Sequence, residues 1–111
     1  MRTLPQAKNL QEAVKAVIQS NTSDGHPFPR FVLLTKNGCA PDLFKVCDRI
    51  ITQGKTRDLL ETALGKFPSL LTLEDIVAKR GTDWGFSEST IAIAKARANY
   101  LDKLVRFKRY A

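Results

Sequence analysis

The chain of 111 residues lacks long apolar runs. No segment approaches the roughly 18–20 apolar residues that a membrane-spanning helix needs, so no membrane partner is expected. The N-terminal segment MRTLPQAKNLQEA becomes polar too early for a signal peptide, which predicts a cytoplasmic protein. With 43% hydrophobic and 26% charged residues, the sequence predicts a single folded domain spanning residues 1–111.

Residues that commonly carry catalysis are also scarce. Cys39 and Cys47 form neither a disulfide framework nor the C-x-x-C spacing of a zinc site, so both are expected to be reduced, partly buried thiols. His26, the single histidine, lies in a polar turn without a local partner for acid–base chemistry. The segment NGCAP has one glycine and follows no strand, which excludes a phosphate-binding loop. The acidic residues are interpreted as helix-start or surface residues: Asp48, Asp58, Glu61, Glu74, Asp75 and Asp83. We therefore expect neither an enzyme nor a cofactor.

Positive charge is the one marked excess. The formal net charge is +7 and the isoelectric point is about 9.7, which favours a polyanionic partner. Residues 1–55 carry eight Lys and Arg against four Asp and Glu, and residues 56–111 carry ten against seven, so the excess is not a tail. It is concentrated near the C-terminus, where Asp102 is the one acid among Lys95, Arg97, Lys103, Arg106, Lys108 and Arg109.

Cap and breaker residues predict helices along most of the chain. Asn9 and Glu12 have the spacing of an N-terminal cap, for a helix that starts at about Pro5 or Asn9 and ends at Gln19. Later helices are predicted from Pro41 to Gly54, from a cap at Thr56 to a stop at Pro68, from a cap at Thr72 to Gly81, and from a cap at Ser87 through about 20 further residues.

The segment RFVLLTKNG allows two interpretations. Residues 31–34 have the composition of a short buried strand, but no second strand-like run exists to pair with it. Pro29 at a first helical turn and Gly38 after the end favour a helix instead. The sequence therefore predicts an all-α fold, a compact single-domain bundle of about six helices. The long C-terminal helix is its expected spine, with Ile91, Ala94, Ala98, Leu101 and Val105 on one apolar stripe that Tyr100, Leu104 and Phe107 widen.

The segment GTDWGFSESTIAIAKARANYL suggests a function. Together with TLEDIVAKR it has the order of a helix-turn-helix, in which the second helix meets base edges and basic residues meet phosphates. The letters SESTI resemble the start of the recognition helices of winged-helix regulators, which implies contacts to DNA from that end of the helix. The leading hypothesis is a small regulatory protein that binds DNA or RNA, with these contact residues: Lys79, Arg80, Ser87, Ser89, Thr90, Lys95, Arg97, Lys103, Arg106 and Arg109.

The same segment also fits a corner between two packed helices. GTDWGF separates the helices by about six residues, whereas the usual turn has three or four. Asp83 and Glu88 would face phosphates, and Trp84 and Phe86 are interpreted as plugs at one end of the core. The segment FKVCDRIITQGKTRDLLETALGKFP resembles the last helices of small death-fold-like adaptor domains in bacteria, which implies recruitment of partners through charged surfaces. A protein-interaction adaptor or assembly subunit is therefore the alternative function.

Overall fold

A computed structural model of the chain describes residues 6–26, 28–53, 57–67 and 69–110, with the backbone alone at 57–60 and 105–110. These residues form six α-helices and one short 3-10 helix, and none of them forms a β-strand. The α-helices are α1 (Leu10–Ser23), α2 (Pro29–Thr35), α3 (Leu43–Gln53), α4 (Arg57–Lys66), α5 (Leu73–Arg80) and α6 (Glu88–Tyr110), and the 3-10 helix (Gly81–Trp84) lies between α5 and α6. The predicted all-α class is confirmed.

The helix starts follow local cap chemistry. The Asn9 side chain accepts a hydrogen bond from the Glu12 amide at 2.8 Å, which satisfies one of the unpaired N–H groups of the first turn. Thr72 and Asp75 form a reciprocal capping box at the start of α5. Pro29 opens α2, and residues 31–35 are helical, which confirms the helical interpretation of that segment.

Two helix boundaries differ from the sequence-based prediction. Helix α1 does not end at Gln19 but continues through Asn21 to Ser23, and Asn21 is buried against the segment that precedes α5. Helix α3 begins at Leu43, two residues after Pro41. The stop and cap residues predicted between α3 and α5, which are Gly54, Thr56 and Pro68, lie outside the described residues.

The main core lies where α1, α3, α5 and α6 meet. Its buried side chains include Val14, Ile18, Leu43, Cys47, Ile51, Val77, Phe86 and Ala94. A second cluster joins α4 to the C-terminal part of α6 through Ala63, Leu64, Leu70 and Leu101. Because α6 packs against α3, α4 and α5, it is the spine that the apolar stripe predicts.

The predicted apolar face of α6 is narrower than expected. Ala94, Ala98 and Leu101 are buried on it. Tyr100 is exposed, so it does not widen that face. The side chains of Val105 and Phe107 lie outside the described residues.

The two cysteines differ in burial, and so do the two aromatic residues of the connection between α5 and α6. Cys39 is exposed, whereas Cys47 is buried, so the thiols do not share one environment. Phe86 is buried and stacks on Phe44 with ring centroids 4.5 Å apart, but Trp84 is half-buried.

Among the described helices, none is long and apolar enough to cross a membrane.

Candidate nucleic-acid interface

The connection between α5 and α6 contains GTDWGF and the cap Ser87, as the sequence predicts, but part of it is helical. Residues 81–84 form a separate 3-10 helix after Arg80, whose dihedral angles are not helical (φ −121°, ψ 4°), and Gly85, Phe86 and Ser87 are the irregular residues of the connection. Gly85 adopts the left-handed conformation (φ 83°), which glycine tolerates without steric cost, and the Phe86 amide donates to the Gly81 carbonyl at 3.0 Å. A three-residue turn that contains glycine is the length typical of a helix-turn-helix.

Polar side chains at the start of α6 are held by one another. The Ser87 hydroxyl accepts a hydrogen bond from the Thr90 amide at 3.2 Å, which confirms Ser87 as the cap. It also donates to Thr90 Oγ1 at 2.9 Å, and Thr90 Oγ1 donates to Asp48 Oδ1 on α3 at 2.7 Å. Thr90 is 2% exposed. Its hydroxyl therefore joins α6 to α3 and does not lie on the surface, whereas Ser87 and Ser89 are exposed.

The solvent face of α6 carries a row of short side chains. Four exposed residues recur at spacings of three and four on the side opposite the buried Ala94 and Ala98, and together they are called the solvent stripe: Ser89, Ala92, Ala96 and Asn99.

Two exposed lysines accompany the solvent stripe. Lys103 continues its direction one turn after Asn99, and Lys95 lies beside it. From the rise and turn of an α-helix, the two lysines are about 12 Å apart along the axis and about 80° apart around it. They therefore lie on the same half of the helix surface, separated by two turns.

The basic residues of α5 have different surroundings. The Nε atom of Arg80 lies 2.8 Å from Asp83 Oδ2, and its Nη1 donates to the Ala7 carbonyl at 3.2 Å. The same guanidinium lies 4.9 Å from the ring centroid of Trp84, within cation–π distance. Arg80 therefore stabilises the corner between the helices. Lys79 is an exposed residue of the same helix.

The remaining predicted contact residues do not all share one face. Arg97 is half-buried and lies about 160° around α6 from Lys95, so the two cannot approach the same groove. The side chains of Arg106, Lys108 and Arg109 lie outside the described residues. The structure thus places three predicted contact residues on the solvent-facing part of α6, which are Ser89, Lys95 and Lys103, and Ser87 is exposed at the cap before the helix. It separates Thr90, Arg80 and Arg97 from them.

Among the described residues, several acidic side chains are buried or half-buried, whereas most basic side chains are exposed. Glu74 and Asp75 lie in the first turn of α5, as predicted for helix-start residues, and both are buried. Asp48 is half-buried and accepts from Thr90, whereas Asp24 is exposed and accepts from Ser69 at 3.1 Å. Among the described residues, exposed lysines and arginines occur on every α-helix: Lys15, Arg30, Lys45, Arg49, Lys66, Lys79, Lys95 and Lys103. Among the residues whose side chains are described, exposed basic side chains therefore outnumber exposed acidic ones.

Two features of this surface were not identified from the sequence. The solvent stripe was readable in principle, because Ala92, Ala96 and Asn99 recur at helical spacing opposite the apolar face. The 3-10 helix after α5 had no distinct local signal in GTDW. No group of three or more His, Cys, Asp or Glu side chains suited to a metal occurs in the part of the chain that the structure describes.

No protein-family model matches the chain, and no curated protein or solved structure shows significant similarity to it. The geometry of the helices and of their exposed side chains is therefore the basis on which a function is inferred.

Proposed function

We propose that the protein binds double-stranded DNA through α6, with α5 and the 3-10 helix after it as the first part of a helix-turn-helix-like unit. The observation that carries this proposal is the three-residue turn at residues 85–87, which leads directly into a long helix with an exposed polar face. The 3-10 helix leaves three irregular residues between the helical segments, which supports the comparison with a helix-turn-helix although α5 and α6 remain separated by residues 81–87.

The shape of the α6 surface supports this function. An α-helix with side chains is about 10–12 Å across, and the major groove of B-DNA is about 12 Å wide. The small side chains of Ser89, Ala92 and Ala96 reduce that diameter on the solvent side. The backbone of α6 can therefore approach the base edges closely.

Two members of the solvent stripe supply groups that read base edges. The Ser89 hydroxyl is both a donor and an acceptor, and the Asn99 side-chain amide has the paired donor and acceptor that match adenine in the major groove. They lie about 15 Å apart along the axis of α6, from the rise of an α-helix. Contacts from both residues would therefore reach different base pairs.

The charges assign a separate role to the lysines. Lys95 and Lys103 lie on the solvent-facing part of α6 and would contact phosphates, which position the helix and dominate affinity. Lys79 of α5 is the candidate for a further phosphate contact. Glu88 is exposed in the first turn of α6 and would disfavour a phosphate there.

The test is a titration of a fluorescent mixed-sequence duplex at several salt concentrations, read by anisotropy. The variant Lys95→Ala/Lys103→Ala is compared with Lys8→Ala/Lys45→Ala, which removes the same charge from exposed positions outside α6. Each phosphate contact contributes about −0.9 to the slope of log K against log salt, so the α6 variant should flatten the slope by up to about two. Circular dichroism checks that both variants are folded.

Two outcomes would overturn the proposal. Equal weakening by both double variants would show that net charge alone attracts the duplex and that α6 is not the interface. Absence of binding to the duplex at low salt would exclude duplex recognition altogether.

A second candidate function, a protein-interaction or assembly subunit, is favoured by a different observation. Helix α2 exposes two adjacent leucines, with Leu33 77% exposed and Leu34 44% exposed. Large exposed apolar side chains in one place mark an association surface more often than single scattered ones do. Sedimentation at increasing concentration tests the assembly form: association that Leu33→Ser abolishes would support it, and a monomer at all concentrations would contradict it.

A further inference from the structure

A cavity of about 430 Å³ lies between α1, α2, α3 and the segment that enters α5. Its size is within the range of small-molecule sites, about 300–1,000 Å³. The walls are mainly apolar and come from Val17, Phe31, Leu34, Val46, Ile50 and Leu73. Since several of its lining residues are exposed, the cavity reaches the surface.

Two arginines from different helices line the same cavity. Arg30 belongs to α2 and Arg49 to α3, and both are exposed. Neither side chain makes a hydrogen bond or an ion pair with any residue in the described ranges. Two cations that no acid among the described residues neutralises, beside an apolar cavity, complement an anionic group attached to an apolar body.

Two further polar residues line the cavity. His26 has a buried Nδ1 atom without a hydrogen-bond partner among the described residues, which leaves a polar atom for a bound molecule or water to satisfy. Glu74 is 3% exposed, so its carboxylate lies deep while the arginines lie at the surface, and it already has an interaction within the chain. The positive charge at the mouth is therefore the charge that an entering ligand meets first.

We infer that this cavity binds a small amphiphilic monoanion, with an aliphatic or aromatic body between α2 and α3 and a carboxylate on Arg30 and Arg49. The charge at the mouth selects the anion over an amine of the same shape, and the apolar walls supply the burial energy. This inference does not depend on the proposed binding of DNA by α6.

The experiment is isothermal titration calorimetry with three probes of equal chain length: decanoate, decanol and decylamine. Decanoate should bind at least about ten times more tightly than either other probe, which corresponds to about 1.4 kcal/mol. The variant Arg30→Ala/Arg49→Ala should lower the affinity for decanoate by at least about tenfold and leave that for decanol unchanged. The charge-matched control Lys45→Ala/Lys66→Ala should leave both unchanged.

A second variant tests the location of the apolar body. Val46→Trp places a large side chain in the cavity and should weaken decanoate and decanol together, with folding checked by circular dichroism. Absence of decanoate binding, equal binding of decylamine, or wild-type decanoate affinity in Arg30→Ala/Arg49→Ala would each overturn the inference. The duplex titration of Arg30→Ala/Arg49→Ala keeps the two proposals apart, because its affinity for DNA should follow that of the Lys45→Ala/Lys66→Ala control.

Discussion

The side-chain amide of Asn21 pairs with both backbone polar groups of Leu71. Its Nδ2 donates to the Leu71 carbonyl at 2.8 Å, and its Oδ1 accepts from the Leu71 amide at 2.8 Å. Asn21 is 1% exposed and Leu71 is also buried. The pair joins the last turn of α1 to the segment that enters α5, where no helix satisfies the backbone of Leu71.

Replacement of Asn21 by Ala should lower the free energy of unfolding by about 2–4 kcal/mol, because it leaves a buried donor and a buried acceptor unpaired. Urea denaturation followed by circular dichroism measures the loss. Gln19→Ala, an exposed position on the same helix, is the matched control and should change stability by less than about 0.5 kcal/mol. Equal effects of the two substitutions would contradict a structural role for the Asn21 pair.

The Asn21–Leu71 pair illustrates why some parts of the fold could be predicted from the sequence and others could not. Caps such as Asn9 and Thr72 bond to residues three positions away, so local spacing predicts them. The segment SNTS predicts a turn, because the side chains of Ser, Asn and Thr can form hydrogen bonds with nearby backbone groups in place of the helical ones. Its helical state depends in part on Leu71, which is 50 positions from Asn21, and single-sequence spacing carries no information about that partner.

Some features of the candidate site could also be predicted from the sequence, and others could not. Helical periodicity indicates that Lys95 and Lys103 lie away from the apolar stripe, and both are exposed. The burial of Thr90 was not predictable, because its partner Asp48 lies on another helix. The cavity between α2 and α3 was missed for the same reason, since its two arginines are far apart in the sequence and become neighbours of one cavity only in the folded chain.

Gly81, the first residue after α5, leaves no room for a side chain between Val77 and Ile91. A Cβ atom added there would lie 2.9 Å from Ile91 Cγ1 and 3.1 Å from Val77 Cγ1. The backbone at Gly81 is right-handed helical (φ −58°, ψ −37°), so packing and not conformation requires glycine. Gly81→Ala should therefore cost about 1–2 kcal/mol, since overpacking outweighs the smaller entropic gain.

A double-mutant cycle checks that explanation. In the background of Ile91→Ala the Cγ1 atom of Ile91 is absent and the Val77 contact remains, so Gly81→Ala should cost less than it does in the wild type. The measured quantity is the free energy of unfolding of the four proteins. The same cost of Gly81→Ala in both backgrounds would mean that Ile91 does not impose the glycine.

Because the thiol of Cys47 is buried, the free energy of unfolding should fall at alkaline pH. Burial raises the pKa of Cys47 from 9.0 to about 12, because the interior disfavours the thiolate. The unfolded chain then releases its proton at lower pH than the folded chain. The contribution of the Cys47 thiol to the free energy of unfolding is fully present below pH 9. It is lost as the pH rises from 9 toward 12, by about 1.4 kcal/mol for each pH unit.

The comparison is with Cys47→Ala, which shares every other titrating group. The variant is less stable at about pH 8 because it leaves a cavity in the main core. Its disadvantage relative to the wild type should shrink progressively above pH 9 in urea denaturation. A constant difference between the two proteins from about pH 8 to pH 10.5 would show that Cys47 ionises as easily in the folded as in the unfolded chain.

Thr90 and Ser89 are adjacent on α6 but should affect different properties. Thr90 is buried with its hydroxyl on Asp48, whereas Ser89 is exposed on the solvent stripe. Thr90→Val keeps the shape of the side chain and removes the hydroxyl, so it should lower the free energy of unfolding by about 1–3 kcal/mol through the unpaired Asp48 oxygen. Its affinity for duplex DNA should stay within about twofold of the wild type while the protein is folded.

Ser89→Arg should show the opposite pattern. The position is exposed, so stability should change by less than about 0.5 kcal/mol. A long side chain at the first position of the solvent stripe would hold α6 away from the groove, so duplex affinity should fall despite the added positive charge. Ser23→Arg, which adds the same charge at an exposed position on α1, is the control and should not lower the affinity. If both arginines strengthen binding equally, the duplex meets the protein through charge alone and α6 does not enter the groove.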